Sequence, residues 1–90
     1  MQKAIFLDRD GVINENYGYV FHKDNFNFID GIFELALKAR KAGYIIVIVT
    51  NQSGIARRYY SEKEFYTLST WVEHQFWKRG IKIQRTLHCP

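Results

Sequence analysis

"GYIIVIVTN", residues 43–51, decides how this chain folds. Ile45, Ile46, Val47, Ile48 and Val49 are β-branched without a break, which predicts a strand buried on both faces, the central strand of a parallel sheet. Upstream, "KAIFLD", residues 3–8, is a short apolar run ending on an acid, and its length and flanks predict a second buried strand. Between the two, "DGIFELALKARKAG" sets Ile32, Leu35, Ala36 and Ala39 at helical spacing, with Asp30 as N-cap and Gly43 as the stop. Strand, helix and strand make a right-handed βαβ unit with a long insertion, residues 11–29, after the first strand. Downstream, residues 61–79 predict a second helix, opened by a Ser61–Glu64 capping box, carrying Phe65, Leu68, Val72 and Phe76 on one face and ended by Gly80. "IKIQRTLH", residues 81–88, follows as a third strand. The chain therefore reads as one α/β unit over residues 1–90, doubly wound, with a parallel sheet. Open parallel sheets bind ligands beyond the carboxyl ends of their strands, so residues 8–11, 50–54 and 88–90 should gather at one edge.

Composition agrees with a small globular unit. Ninety residues can build one modest core, and 47% hydrophobic with 17% aromatic residues excludes a disordered tail. No run approaches the roughly 18 apolar residues that span a bilayer, and the N-terminus lacks the pattern of a signal peptide. A single cysteine provides no disulfide framework and suits a reducing cytoplasm. The net charge of +4 invites a nucleic-acid reading. The bases are scattered through "KARKAG", "RR" and "WKRG" without a reader motif, so attraction for a small phosphorylated substrate, or a plainly solvated surface, explains them better.

The chemistry should begin where the strands end. Asp8 and Asp10 lie two apart in "FLDRDGV", and that spacing in extended chain sends both carboxylates to one side. Crowded carboxylates repel, and a hard divalent cation such as Mg²⁺ relieves this while leaving room for a substrate phosphate. One carboxylate can then attack phosphorus while the other donates a proton to the leaving oxygen and later activates water. The competing readings are a polar turn, for which Asp and Gly are suited, and a calcium loop. Val12 and Ile13 stand where such a loop needs an oxygen ligand and a glycine, which rejects calcium. At the end of the central strand, Thr50 and "NQSG" offer a hydroxyl, an amide and backbone N–H groups in a glycine-terminated turn fit to hold phosphate, although such groups also serve local backbone needs.

"IFLDRDGVIN" followed by "VTNQSGIAR", together with "GYV", "FIDGI" and the closing "CP", resembles the haloacid-dehalogenase phosphatase superfamily. Within it the sequence is similar to the D-glycero-D-manno-heptose bisphosphate phosphatases and the related histidinol-phosphate phosphatase domains. The resemblance implies a Rossmann-like fold, Mg²⁺, and hydrolysis of a phosphorylated sugar, the 7-phosphate of heptose 1,7-bisphosphate, through an aspartyl-phosphate. It implies Asp8 as nucleophile and Asp10 as general acid and base, both touching Mg²⁺, with Thr50 steadying the transferred group. Asn16, Tyr17, Gly18 and Tyr19 match one substrate-contacting segment, Asn51, Gln52 and Ser53 another, and Arg57 an anion contact or loop anchor. Arg58 departs from the pattern, which has glycine there.

The same resemblance implies that the ninety residues are the N-terminal portion of the fold, truncated after the third strand. In the family, "CP" opens a zinc loop, so Cys89 would be the first of four Zn²⁺ ligands, and a phosphate-binding Lys or Arg and an acidic metal motif follow. Without that context Cys89 reads as an idle thiol, and one ligand does not close a zinc site. Histidinol phosphate is the alternative substrate, and an inactive fragment the alternative of another class. His22 and His74 read as surface histidines, and Trp71, Phe76 and Trp77 as core or subunit contact. An open sheet edge and apolar face predict self-association, with no nucleic acid and no membrane as partner.

Overall fold

A computed structural model describes the backbone of residues 2–16, 18–51 and 53–89, and their side chains other than those of Ser53, Ala56 and Cys89. The apolar run at the N-terminus forms β1 (Lys3–Asp8), and the β-branched run forms β2 (Tyr44–Asn51). They pair in parallel from Lys3↔Tyr44 to Asp8↔Val49. On the other side of β2, β3 (Ile83–Cys89) also runs parallel, giving the order β1-β2-β3. A bulge separates the pairs Ile46↔Ile83 and Val47↔Arg85 and sets the register that carries Thr50 opposite His88.

Two crossover helices connect the strands. The helix α1 (Ile32–Lys41) begins at Gly31, whose left-handed backbone (φ 87°) turns the chain into the helix, so Asp30 lies one residue outside the cap assigned to it from sequence. Gly43 does end the segment, with a φ of 91°. Beyond β2 a short helix, α2 (Ser53–Ala56), stands where the sequence predicted only a turn. The long helix α3 (Glu62–Trp77) opens on the expected capping box: the Glu64 amide donates to Ser61 Oγ at 3.0 Å, and the Ser61 amide donates to Glu64 Oε1 at 2.9 Å.

Both crossovers step the same way along the sheet, so right-handed connections put α1 and α3 on one face. That face holds the core, where Leu7, Ile46, Ile48 and Ile83 of the sheet meet Ile32 and Ala36 of α1 and Leu68, Val72 and Phe76 of α3. Phe65, the remaining predicted apolar position of α3, is buried as well. Ile81 is buried but precedes β3, which starts two residues later than the sequence suggested. The opposite face is less covered: Phe6, paired with Val47, is 62% exposed, and Leu87 is also exposed. Burial of β2 on both faces is therefore incomplete, with Ile45 and Val49 half-buried. Leu35 points out of α1 and Trp77 out of α3, both exposed, while Phe33, Leu37 and Trp71 pack on the core.

The insertion after β1 folds back onto this core. Asn14 bridges to Asp10 on one side and to Phe28 on the other, and Ile29 donates its amide to the Ile13 carbonyl at 2.9 Å. Between them a single 3-10 turn, Lys23–Asn25, is capped by His22. Phe26, Phe28, Phe33, Trp71 and Phe76 form a chain of ring contacts with centroids 4.7–6.1 Å apart, fastening the insertion to α1 and α3. No helix among the described residues is long and apolar enough to cross a membrane.

Candidate active site

The strands end at one rim. The Arg9 amide donates to the Val49 carbonyl at 3.0 Å and carries the β1 ladder one residue further. Gly11 then reverses the chain at a φ of 92°, a conformation that suits glycine. The Ile13 and Asn14 amides both return to the Arg9 carbonyl, at 2.8 and 3.1 Å, which closes residues 9–14 into a compact loop. This loop sets Asp8 and Asp10 on one cavity of about 490 Å³, lined also by Arg9, Asn16, Gly18, Tyr19, Val20, Val49, Thr50, Asn51 and Tyr60. A shallower depression beside it is lined by Asp8, Val49, Thr50, Asn51, Leu87 and His88. The gathering of strand ends expected from sequence therefore holds as far as His88, whose ring lies 4.3 Å from that of Phe65.

The two carboxylates are held differently. Asp8 is exposed, and no side-chain hydrogen bond or ion pair holds its carboxylate among the described residues. Asp10 is gripped through one oxygen: Asn14 Nδ2 donates to Oδ1 at 2.9 Å, Arg9 Nη2 at 3.1 Å and Arg9 Nε at 3.2 Å. Its Oδ2 receives only a longer contact from Arg9 Nη2, at 3.3 Å. Arg9 is 3% exposed and also donates from Nη2 to the Val20 carbonyl at 2.8 Å, tying the insertion to the rim. Asn14 is fully buried. Burial pushes the Tyr60 phenol above its ordinary value; the nearby Arg9 charge works against this and Asp10 with it.

This donor set fits a hard divalent cation. Arg9 is the one Lys or Arg among the lining residues, against the carboxylates of Asp8 and Asp10, so a phosphate dianion would meet net negative charge there. Mg²⁺ takes oxygen ligands and is commonly held by one or two carboxylates together with substrate phosphate oxygens and water. Asp8 and Asp10 bring such oxygens to one cavity. Among the described residues no group of three or more His, Cys, Asp or Glu side chains is placed to hold a metal, and the side chain of Cys89 lies outside them.

Comparison with known proteins agrees with this geometry. No model of a known protein family matches the chain. It is 48% identical over 90 residues to a D-glycero-beta-D-manno-heptose-1,7-bisphosphate 7-phosphatase of Haemophilus influenzae, covering all of this chain and 49% of that protein. It is 52% identical over 88 residues to a D-glycero-alpha-D-manno-heptose-1,7-bisphosphate 7-phosphatase of Burkholderia mallei, covering 98% and 47%. The crystal structure of D,D-heptose 1,7-bisphosphate phosphatase from B. bronchiseptica, complexed with magnesium and phosphate, superposes with a TM-score of 0.90 at 27% identity, covering 98% of this chain and 50% of that one. The chain has a haloacid-dehalogenase-like fold and resembles the heptose-bisphosphate phosphatases. It spans about half the length of the curated relatives it matches.

On this haloacid-dehalogenase-like scaffold the expected residues fall into three groups. Asp8, Asp10, Thr50, Asn16, Gly18, Tyr19 and Asn51 all line the cavity. Arg57, expected as an anion contact or loop anchor, is exposed in the turn after α2 and is not among the residues that line the cavity. Tyr17, Gln52 and the side chains of Ser53 and Cys89 lie outside the described residues. Arg9, Asn14 and Tyr60 were missed from sequence. Arg9 sits between the two acids that drew attention, and its burial depends on the returning insertion, which a one-dimensional pattern does not show.

Proposed function

We propose that this unit carries the phosphoryl-transfer centre of a phosphomonoesterase acting on D-glycero-D-manno-heptose 1,7-bisphosphate, with the 7-phosphate removed. The observation that carries the reading is the placement of Asp8, Asp10 and Thr50 on one cavity at the ends of adjacent parallel strands. Similarity to named 7-phosphatases supports the substrate class. A carboxylate oxygen of Asp8 attacks phosphorus to form an acyl-phosphate, while Asp10, protonated, gives its proton to the departing sugar oxygen. The resulting Asp10 carboxylate then takes a proton from the water that attacks the acyl-phosphate, releasing phosphate and restoring Asp8. Arg9 and Asn14 keep Asp10 oriented through Oδ1, which leaves Oδ2 for the proton. The Thr50 hydroxyl steadies a phosphoryl oxygen. Mg²⁺, held by Asp8 and Asp10, would neutralise phosphate charge and polarise the phosphorus–oxygen bonds.

The site would work in a reducing cytoplasm, which one cysteine suits, and an exposed edge of the sheet would serve for self-association. Zn²⁺ at Cys89 has no support among the described residues. Phosphate release with Mg²⁺ from heptose bisphosphate and from histidinol phosphate, measured side by side for the wild type and Asp8→Asn, tests the assignment. Heptose bisphosphate should be turned over faster and Asp8→Asn should be inactive. Equal turnover by the variant would reject the nucleophile, and preference for histidinol phosphate would reject the substrate.

A further inference from the structure

Tyr19 lines the cavity that Asp8 and Asp10 share, and its backbone is tied to one of those acids. Gly18, at a φ of 93°, donates its amide to Asn16 Oδ1 at 3.1 Å and turns the chain into Tyr19. The next carbonyl, that of Val20, accepts from Arg9 Nη2, and Arg9 also grips Asp10. The side chain is held by other means. Tyr19 is 43% exposed, so it keeps surface free for a ligand and depends on neighbours for a fixed rotamer. Those neighbours come from the segment after α2. The Arg58 amide donates to the Ile55 carbonyl at 3.0 Å and the Tyr59 amide to the Gly54 carbonyl at 2.8 Å. Arg58 takes a left-handed conformation (φ 60°), alone among the described non-glycine residues. Tyr59 then meets Tyr19 with ring centroids 4.8 Å apart and 52° between planes. Gly54 lies close as well, since a Cβ there would come within 2.9 Å of Tyr19 Cδ1. Tyr59 is not among the residues that line the cavity, and neither the motifs nor the spacing of the acids points to it.

A phosphorylated sugar has an anionic end and a carbon skeleton whose C–H groups pack well on an aromatic ring. A ring that must be ordered when the ligand arrives binds it less tightly than one already in place. We propose that Tyr59 is a positioning residue of this site, its ring holding Tyr19 so that Tyr19 meets the carbon skeleton of a phosphorylated sugar while the phosphate is at Asp8. The inference rests on the phosphatase reading above and adds to it a residue outside the cavity that sets the sugar contact. Tyr59 acts through Tyr19, so its effect vanishes where Tyr19 is gone or where the substrate has no sugar.

Wild type, Tyr59→Phe, Tyr59→Ala, Tyr19→Ala and the double variant Tyr19→Ala/Tyr59→Ala separate the possibilities. Each is assayed with Mg²⁺ on heptose bisphosphate and on acetyl phosphate, which has no sugar. Tyr59→Ala should raise KM for the sugar bisphosphate about fivefold with kcat within about twofold, the size expected for one lost ring pair. It should leave acetyl phosphate turnover unchanged, and Tyr59→Phe, which keeps the ring, should match wild type on both. The double variant should have the KM of Tyr19→Ala, because the two residues act as one unit. Unchanged KM in Tyr59→Ala, an equal loss on both substrates, a loss in Tyr59→Phe as large as in Tyr59→Ala, or a further rise in KM from Tyr19→Ala to the double variant would overturn the proposal. If the wild type releases phosphate from neither substrate, the phosphatase reading itself has failed. Binding then decides the proposal: Tyr19 ring-proton shifts on adding heptose 7-phosphate, absent with inorganic phosphate and smaller in Tyr59→Ala, uphold it. Their absence from the wild type, or equal shifts in Tyr59→Ala, overturns it.

Discussion

Arg9 and Asp10 are chain neighbours whose side chains turn back on each other, Arg9 Nη2 standing 3.1 Å from Asp10 Oδ1 and 2.8 Å from the Val20 carbonyl. One buried guanidinium therefore holds both the proposed proton carrier and the insertion that roofs the cavity. Replacing it by methionine removes charge-assisted hydrogen bonds while keeping bulk. Arg9→Met should lose about 2–3 kcal/mol of stability in denaturant unfolding. Arg9→Lys, which keeps the charge but not the fork, should fall between the two. Equal midpoints for wild type and Arg9→Met would show that the contact contributes nothing.

Gly54 is set by space and not by backbone angle, since its added Cβ would collide with Tyr60 and crowd Tyr19. Gly54→Ala should destabilise the chain by about 1–3 kcal/mol through overpacking. It should also shift the aromatic proton resonances of both rings. Unmoved tyrosine signals would contradict the packing described.

Arg58 occupies a left-handed backbone position that glycine fills at little cost. Such a conformation costs a branched-at-Cβ or long side chain about 1–2 kcal/mol, partly offset by the looser unfolded chain that glycine brings. Arg58→Gly should therefore be more stable than wild type by about 0.5–1 kcal/mol, and Arg58→Val less stable. The reverse order in thermal unfolding would contradict the conformation.

Burial holds the Tyr60 phenol above its ordinary value of 10.0. An acid whose folded value is raised favours folding while protonated, so its contribution is whole below the unfolded value and is lost as pH rises through the folded one. Stability should thus fall more steeply above about pH 10 in wild type than in Tyr60→Phe. Parallel curves would mean that Tyr60 ionises as freely in the folded chain as in the unfolded one.

Much of this arrangement was legible in the residues. The β-branched run of β2, the Ser61–Glu64 box and the four-residue apolar face of α3 are local patterns, and each forms the expected element, although β2 is less fully buried than its run predicts. The acids at the β1 end and Thr50 at the β2 end follow from the rule for parallel sheets, which needs only topology. What escaped depends on contacts distant in sequence. Asp30 gave way to Gly31 because the entry to α1 is set by a left-handed turn, and Leu35 lies outside because Phe33 and Leu37 took the core side. Tyr60 reaches the cavity only through the reversal at Arg58 and the close pass at Gly54, neither of which a motif records.

The central claim is that Asp8 takes the phosphoryl group. Rapid quenching of the chain with Mg²⁺ and heptose bisphosphate, followed by mass spectrometry of the peptide containing residues 8–10, tests it most directly. The account predicts one phosphoryl group on Asp8, absent in Asp8→Asn. Phosphate released with the label on Asp10, or with no phosphorylated carboxylate at any quench time, would contradict it.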